Sequence, residues 1–185
     1  MSTRVGAVIC LALGSNATHG HDLHPPPAYQ RAALQAGIPP SVLFAVALHE
    51  SGTTIRGRLI PWPWTLNTDG QPHRFLRRAE ACAALRRALR EYRNVDVGLG
   101  QISLRFHSHR VQEPCELLDP FRNLAIAATI LREHHTPGDD WLVAIGNYHR
   151  PAGGEPAARY RRSVQRHLVR VAGAAVANPS SKDAR

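Results

Sequence analysis

The longest hydrophobic run in the interior of the chain is VLFAVAL, from Val42 to Leu48, in which seven consecutive residues are apolar. So short a run fits either a helix that is buried on nearly all sides or a buried strand. Its alanines and leucines favour a helix. Ser51-Gly52 is placed to end that helix. The pattern therefore predicts that Glu50 lies at the C-terminal end of a buried helix.

Other segments also alternate between apolar and polar positions with helical spacing. Helices are predicted from about Pro27 to Gly37, over 75–93, from Asp119-Pro120 to about 135, from 139 or 140 to 149, and over 156–176. The stretch 53–74, which carries Pro61, Pro63, Gly70 and Pro72, is predicted to be a long structured loop. Residues 96–102 are predicted to form a glycine-rich turn. The expected fold is a mainly α single domain of about six helices with long loops.

The N-terminal residues have the composition of an export signal. Arg4 precedes a ten-residue apolar run, Val5 to Gly14, which is too short to span a membrane, and small residues follow at 15–17. We expect residues 1–17 to be a secretory signal peptide, 18–27 a linker, 28–172 the folded domain and 173–185 a flexible tail. A frayed N-terminus with an apolar patch is the alternative. No transmembrane helix is expected.

Composition and charge narrow the class of protein. The 185 residues suit one domain, and 43% apolar with 20% charged residues excludes a wholly disordered or fibrous chain. The net charge is +9, and Lys182 is the only lysine among 23 basic residues. Such a charge suits nucleic acid, an anionic membrane face or an acidic polymer. The arginine-rich stretches 77–93 and 159–170 lie in no nucleic-acid-binding motif, so solvated helix faces are the simpler interpretation.

The cysteines bear on the compartment. Cys10 lies in the apolar run, so removal of the signal would leave Cys82 and Cys115. In an oxidising compartment an even pair favours one disulfide. Two buried free thiols are the alternative.

Glu50 is the residue with the most informative chemistry. Burial disfavours a carboxylate, and the negative end of a helix dipole does so too, so both effects raise the pKa. A carboxyl group that stays protonated near neutral pH can donate a proton to a leaving oxygen. A solvated glutamate at an exposed helix end is the alternative.

Several other kinds of site are not supported. A zinc-protease motif starting at His49-Glu50 needs histidine at position 53, which is Thr53. The glycine-rich nucleotide loops and the serine nucleophile motif are absent from the sequence. The histidine pairs at 107 and 109 and at 134 and 135, and the histidines at 19, 21 and 24, are poor candidates for metal ligands. We therefore expect no metal and no cofactor.

Four segments occur in a characteristic order: ALHESG (47–52), DVGLGQI (96–102), DPFRNLAIAATIL (119–131) and AIGNYHRP (144–151), followed by Tyr160 and Val164. Together they resemble the soluble lytic transglycosylases, whose catalytic domain is similar to goose-type lysozyme. The resemblance covers about residues 28–170 and implies a lysozyme-like domain. PWPWTLNTDG (61–70) and Tyr148-His149 are similar to small exported members that serve conjugation, pilus and secretion systems.

The resemblance implies roles for individual residues. Glu50 matches the catalytic acid, Tyr148 the tyrosine that hydrogen-bonds this acid, and Tyr160 a further tyrosine beside the groove. Ser51 matches a residue that helps to position the sugar or the catalyst. The residues implied to line the groove beside the acid are Gly98, Leu99, Gln101 and Ile102.

The chain departs from the family at two positions. Gly100 stands where the family usually has methionine, which implies the loss of a packing side chain and a looser turn. His149 stands where the broader family has asparagine.

Some residues near the motifs keep two interpretations. Trp62 and Trp64 are candidates either for stacking on sugar rings or for anchoring the loop. Asn67 and Asp69 would bind polar groups of a glycan or shape the turn before Gly70.

The implied reaction cleaves the β-1,4 bond between N-acetylmuramic acid and N-acetylglucosamine without water. Glu50 would protonate the glycosidic oxygen, and the substrate's N-acetyl group would stabilise the oxocarbenium charge. Glu50 would then deprotonate the muramyl 6-hydroxyl, which closes a 1,6-anhydro ring. A glycosidase with two carboxylates needs a second acid ~5–10 Å away. Asp96 is the obvious candidate, but we expect it to fix the turn before Gly98.

The partners implied are peptidoglycan glycan strands in the periplasm and components of a type IV or related secretion or conjugation apparatus, and no nucleic acid is expected. Two alternatives remain. One is a muramidase, a hydrolase on the same fold. The other is a binding module, either a catalytically weak wall-binding protein or a basic nucleic-acid-binding protein.

Overall fold

The computed structural model describes residues 23–177. The predicted signal peptide, the first half of the linker and the end of the predicted tail therefore lie outside the described residues. Within 23–177 there are seven α-helices: α1 (Pro27–Ala36), α2 (Pro40–Ser51), α3 (Arg78–Glu91), α4 (Leu104–His107), α5 (Pro120–Glu133), α6 (Trp141–His149) and α7 (Gly154–Ala177). The same residues include six short strands: β1 (Gly52–Ile55), β2 (Arg58–Pro61), β3 (Thr65–Thr68), β4 (Gln71–Arg74), β5 (Val95–Val97) and β6 (Ile102–Ser103).

The helix α2 lies at the centre of the domain. Residues 42–48 are each at most 4% exposed, so the prediction of a buried helix is confirmed. It contacts α1, α5, α6 and α7 as well as β2. An apolar surface on every side is needed to fill these contacts, which explains the unbroken hydrophobic run. Glu50 is carried at the end of this central helix.

The short helix α4 is not predicted by the sequence pattern, and with it the described residues have seven helices instead of about six. The other helices agree with the pattern, and the mainly helical prediction is confirmed. Two of them begin at the expected aspartate caps. The carboxylate of Asp119 accepts a hydrogen bond from the backbone N–H of Arg122 at 2.8 Å, and that of Asp140 accepts one from Leu142 at 2.9 Å. A cap of this kind satisfies a backbone donor that the first helical turn leaves free. No single helix in the described range is both long and apolar enough to cross a membrane. Helices α1 and α2 reach the required length and hydropathy only when taken together, and the two are bent by 118° relative to each other.

The prediction of a long loop over 53–74 is wrong, because this stretch forms two β-hairpins. Strands β1 and β2 are joined by Arg56-Gly57, and β3 and β4 by Asp69-Gly70. All four of these turn residues have positive φ angles, as a two-residue hairpin turn of the I′ kind requires. Pro72 lies in β4, an edge strand, where a missing N–H is tolerated.

The second hairpin extends into a four-stranded antiparallel sheet beside the helices. Its strand order is β4-β3-β5-β6. Because side chains alternate along a strand, Val95 and Val97 of β5 are fully buried while Asp96 between them faces the other way. The sheet thereby carries the Asp96 side chain to the opposite side from the core.

A disulfide joins α3 to the short 3-10 helix Pro114–Leu118. The sulfur atoms of Cys82 and Cys115 are 2.03 Å apart. Of the two alternatives drawn from the sequence, the structure contains the bridge. It ties α3 to a segment that packs near the glycine-rich turn, since the carbonyl of Leu117 in the 3-10 helix accepts a hydrogen bond from Asn123, which also binds this turn.

Candidate active site

Glu50 opens onto a cavity of about 490 Å³. The carboxyl group is partly buried in the last turn of α2. The cavity walls come from β5, β6 and α4 on one side and from the C-terminal ends of α5 and α6 on the other. The cavity is therefore formed by elements far apart in the sequence, and Glu50 is the one glutamate in its wall.

The phenol of Tyr160 holds the Glu50 carboxyl. Its hydroxyl, on α7, donates a hydrogen bond to Glu50 Oε1 at 2.5 Å. The hydroxyl of Tyr148 instead donates to the backbone oxygen of Gly100 at 2.6 Å. The resemblance implied that Tyr148 bonds the acid, and the structure gives this hydrogen bond to Tyr160. The reason is position: α7 packs against α2 and places Tyr160 beside Glu50, whereas Tyr148 reaches the turn at Gly100 from α6.

The environment of Glu50 raises its pKa to about 7. Burial of the carboxyl is the largest cause. The hydrogen bond from Tyr160 acts in the opposite direction because it stabilises the charged form, and the nearby charge of Asp96 raises the pKa further. The group therefore exchanges a proton near neutral pH, as a general acid that later acts as a base must do.

The glycine-rich turn is fastened to both α2 and α5. Ser51, which is fully buried, has its hydroxyl 2.8 Å from the carbonyl oxygen of Leu99 and 3.1 Å from that of Ala47. Asn123 of α5 accepts a hydrogen bond from Gly100 N–H and donates to the carbonyls of Val97 and Leu117, all at 2.8–2.9 Å. Ser51 thus positions the turn next to the acid and has no surface with which to contact a sugar.

The residues predicted to line the groove divide into two groups. Gln101 and Ile102 line the cavity. Leu99 is buried in the core, and Gly98 shapes the backbone with a φ of 82°. A Cβ at position 98 would lie 2.2 Å from the amide nitrogen of Asn123, so glycine is required for this close approach.

The turn is not loosened at Gly100, contrary to the expectation from the missing methionine. A Cβ there would lie 2.8 Å from the Cβ of Ala127 and 2.9 Å from the hydroxyl of Tyr148. Both distances are shorter than normal carbon contacts. In this chain the turn is packed tightly against α5 and α6, and its close packing excludes a side chain at position 100.

The two tryptophans lie outside the cavity wall. The indole N–H of Trp62 donates to the carbonyl of Phe75 at 2.7 Å, and Trp64 packs against the core. Their rings meet edge to face at 5.9 Å. These contacts favour the anchoring role over sugar stacking. Asn67 likewise shapes its turn, because its side chain accepts a hydrogen bond from Gly70 N–H at 2.8 Å.

Sequence reasoning missed several residues of the cavity wall. Phe106, which is 65% exposed, lines the cavity. His107 and His134 also belong to the cavity wall. In the sequence, these two histidines stand out only as members of pairs that are poor candidates for metal ligands. Helix α4 follows the glycine-rich turn directly, so its side chains could have been assigned to the groove once the turn was placed. Across residues 23–177, no group of three histidine, cysteine, aspartate or glutamate side chains is arranged to hold a metal ion.

Asp96 and His149 also line the cavity. Burial raises the pKa of Asp96, while a hydrogen bond with Ser103 and the neighbouring His149 lower it. The side chain of Asp96, which is expected to fix the turn before Gly98, points from β5 into the same cavity as Glu50. The cavity therefore contains two carboxyl groups and an imidazole.

Comparison with known proteins identifies no relative: no family model matches the chain, and neither does any curated protein or solved structure. A functional assignment therefore depends on the geometry of the site and on the sequence motifs that meet there.

Proposed function

We propose that this chain is a peptidoglycan lytic transglycosylase. It cleaves the β-1,4 bond between N-acetylmuramic acid and N-acetylglucosamine and leaves a 1,6-anhydromuramyl product. The observation that carries the proposal is a partly buried glutamate with a pKa of about 7 in the wall of an open cavity. Such a group supplies the proton that a glycosidic leaving oxygen needs.

The four sequence segments behind the resemblance meet at this glutamate. Ser51 binds the backbone of the glycine-rich turn, Asn123 binds the same turn from α5, and Tyr148 binds it from α6. Tyr160 then closes the set by bonding Glu50 itself. A helical domain with its acid on a central helix and a small sheet beside the cleft supports the lysozyme-like fold that we propose.

The proposed reaction uses one carboxyl group twice. The protonated Glu50 donates its proton to the glycosidic oxygen as the bond between the anomeric carbon and that oxygen breaks. The N-acetyl group of the substrate stabilises the charge at the anomeric carbon. Glu50, now a carboxylate, takes the proton of the muramyl 6-hydroxyl, whose oxygen bonds the anomeric carbon. Protons balance, Glu50 is restored and no water is consumed.

We further propose that the enzyme acts in the periplasm, where it opens the wall locally for a secretion, conjugation or pilus apparatus. The disulfide between Cys82 and Cys115 is stable in an oxidising compartment of that kind. The net charge of +9 suits a sacculus that carries free peptide carboxylates. The link to such an apparatus rests on the similarity of residues 61–70 and of Tyr148-His149.

A hydrolase is the second candidate, and the position of Asp96 favours it. A carboxylate in the same cavity as the acid is what a two-carboxylate glycosidase uses to activate water or to form a covalent intermediate. In the transglycosylase, by contrast, Asp96 acts on Glu50 through its charge alone.

Product analysis separates the two reactions. Purified protein is incubated with isolated sacculi in oxygen-18 water, and the released muropeptides are identified by mass. The proposal predicts anhydromuramyl products without the label, both from the wild type and, at a lower rate, from Asp96→Asn. Labelled reducing ends that disappear in Asp96→Asn would establish the hydrolase instead.

A further inference from the structure

The ring of Tyr160 lies between two imidazoles. His149, the last residue of α6, stacks on it face to face, with ring centroids 4.7 Å apart and planes inclined by 3°. His49 meets the same ring edge on, at 4.8 Å and 87°. The ring is therefore restrained by a flat contact from one direction and by an edge contact from another.

The position of this ring fixes the hydrogen bond to the acid. The hydroxyl that donates to Glu50 at 2.5 Å is the far end of the Tyr160 side chain, so a small tilt of the ring moves the oxygen away from the carboxyl. A parallel stack of two aromatic rings opposes such a tilt, because the contact area falls as the planes incline. His149 reaches this ring from α6, a different helix from the one that carries Tyr160.

We propose that His149 is a positioning residue, whose stacked ring keeps the Tyr160 hydroxyl directed at the Glu50 carboxyl. Its effect on turnover rests on the proposed function, whereas its effect on the Glu50–Tyr160 hydrogen bond does not. His149 itself need not contact substrate for this role.

The groups that face His149 leave its ring uncharged at neutral pH. Partial burial lowers its pKa, the adjacent Arg150 acts in the same direction, and Asp96 across the cavity opposes them. The stack is thus a contact between two neutral rings. A phenylalanine at position 149 should reproduce it.

The test is an NMR titration of the Glu50 side-chain carboxyl in the full chain, assigned by comparison with Glu50→Gln. Loss of the hydrogen bond removes a contact that stabilises the carboxylate. His149→Ala is therefore expected to raise the pKa of Glu50 by about half a pH unit or more, as is Tyr160→Phe. His149→Phe retains the flat ring and is expected to keep the wild-type pKa. In the Tyr160→Phe background, His149→Ala is expected to add nothing, because both changes act on one contact.

A matched control is His135, whose ring stacks on that of Trp141 with centroids 3.7 Å apart and planes inclined by 12°. Neither residue is part of the cavity wall. His135→Ala removes the same kind of contact and is expected to leave the pKa of Glu50 unchanged. The proposal is overturned if His149→Ala has no effect, if His149→Phe behaves like His149→Ala, or if the shift persists without the Tyr160 hydroxyl. The titration contains no glycan, so its result does not depend on activity. A protein that releases no muropeptides would refute the proposed function and leave the result of the titration valid.

Discussion

At Glu50, burial and a hydrogen bond act on one carboxyl group in opposite directions. Burial raises its pKa, and the hydroxyl of Tyr160 holds the rise to about 7. A carboxyl with a higher pKa would be too weak an acid to protonate a leaving oxygen efficiently, and one with a normal pKa would be unprotonated at pH 7. The catalytic role that we propose depends on this balance.

The raised pKa of Glu50 also predicts a cost in stability. Between about pH 4.5 and pH 7 the folded protein retains a proton that the unfolded chain releases, so the wild type loses stability as the pH rises through this window. Glutamine cannot ionise and still offers an acceptor to Tyr160. Glu50→Gln is therefore expected to be more stable than the wild type by about 1–3 kcal/mol at pH 8.

Urea unfolding of both proteins at pH 4 and pH 8 measures this difference. The gain of Glu50→Gln should be confined to the higher pH, because both side chains are neutral at the lower one. Glu91→Gln, an exposed glutamate at the end of α3, serves as the control and is expected to change the free energy of unfolding by about 0.5 kcal/mol or less. Equal stability of Glu50→Gln and the wild type at pH 8 would show that the carboxyl is not strained by burial.

Phe106 gives a prediction about substrate binding. Its ring is exposed in the wall of the cavity, where an aromatic face can pack on the apolar face of a sugar ring. Phe106→Ala is expected to raise KM for soluble glycan strands about tenfold while kcat changes little, because the ring contributes to binding in ground state and transition state alike. Steady-state kinetics on purified strands measure both constants.

The control for Phe106 is Phe121, which is 63% exposed on α5 and is not part of the cavity wall. Phe121→Ala should leave both constants unchanged. A fall in kcat with constant KM in Phe106→Ala would place this ring in the chemical step instead of in binding.

For single residues, the sequence was informative about Glu50, because the hydrophobic run before it was enough to predict a position at the end of a buried helix. It was not informative about Asp96. The side chain of Asp96 points into the cavity only because Val95 and Val97 on either side fill the core, and this alternation has meaning only within a strand. Without strand β5, the same residues resemble the start of a turn.

At the level of elements, the longer helices were predictable, whereas the four-residue helix α4 and the hairpins were not. Helical periodicity repeats over several turns, so one residue that departs from the pattern does not hide it. Aspartate caps mark where two of these helices begin. The hairpins have four-residue strands, two of which contain the prolines at 61 and 72. In the second hairpin, β3 also pairs with β5, more than twenty residues later. The Asp69-Gly70 pair was the available signal, since this dipeptide favours the turn that joins β3 to β4.

A prediction about Asn123 tests how strongly α5 holds the glycine-rich turn. It is 1% exposed and satisfies three backbone groups, at Gly100, Val97 and Leu117. Asn123→Ala leaves these groups buried and unpaired, so we expect a loss of about 3 kcal/mol or more in the free energy of unfolding. Chemical denaturation measures the loss.

Thr129→Ala, an exposed change on the same helix that also removes a hydrogen bond, is the matched control and should cost about 0.5 kcal/mol or less. If the two variants were equally stable, Asn123 would not be what fastens the turn.

In the whole molecule, the cavity and the disulfide both join segments that are far apart in the sequence. The bridge between Cys82 and Cys115 closes a loop with a sequence separation of 33. Because it restricts the unfolded chain, its reduction is expected to lower the free energy of unfolding by about 3–4 kcal/mol. Urea unfolding with and without reductant measures the difference.

The double variant Cys82→Ala/Cys115→Ala controls for other effects of the reductant, since its unfolding should not respond. Identical transitions of the wild type under both conditions would contradict a stabilising bridge.

The whole-molecule claim is that one glutamate, at the point where the central helix, the turn and the last helix meet, cuts the wall polymer. Its most direct test is the rate at which sacculi release soluble muropeptides, measured for the wild type and Glu50→Gln from pH 5 to pH 9. We predict that the wild-type rate falls above about pH 7 as Glu50 loses its proton, and that Glu50→Gln is slower by about 100-fold or more at every pH. Release by Glu50→Gln at the wild-type rate would contradict the account.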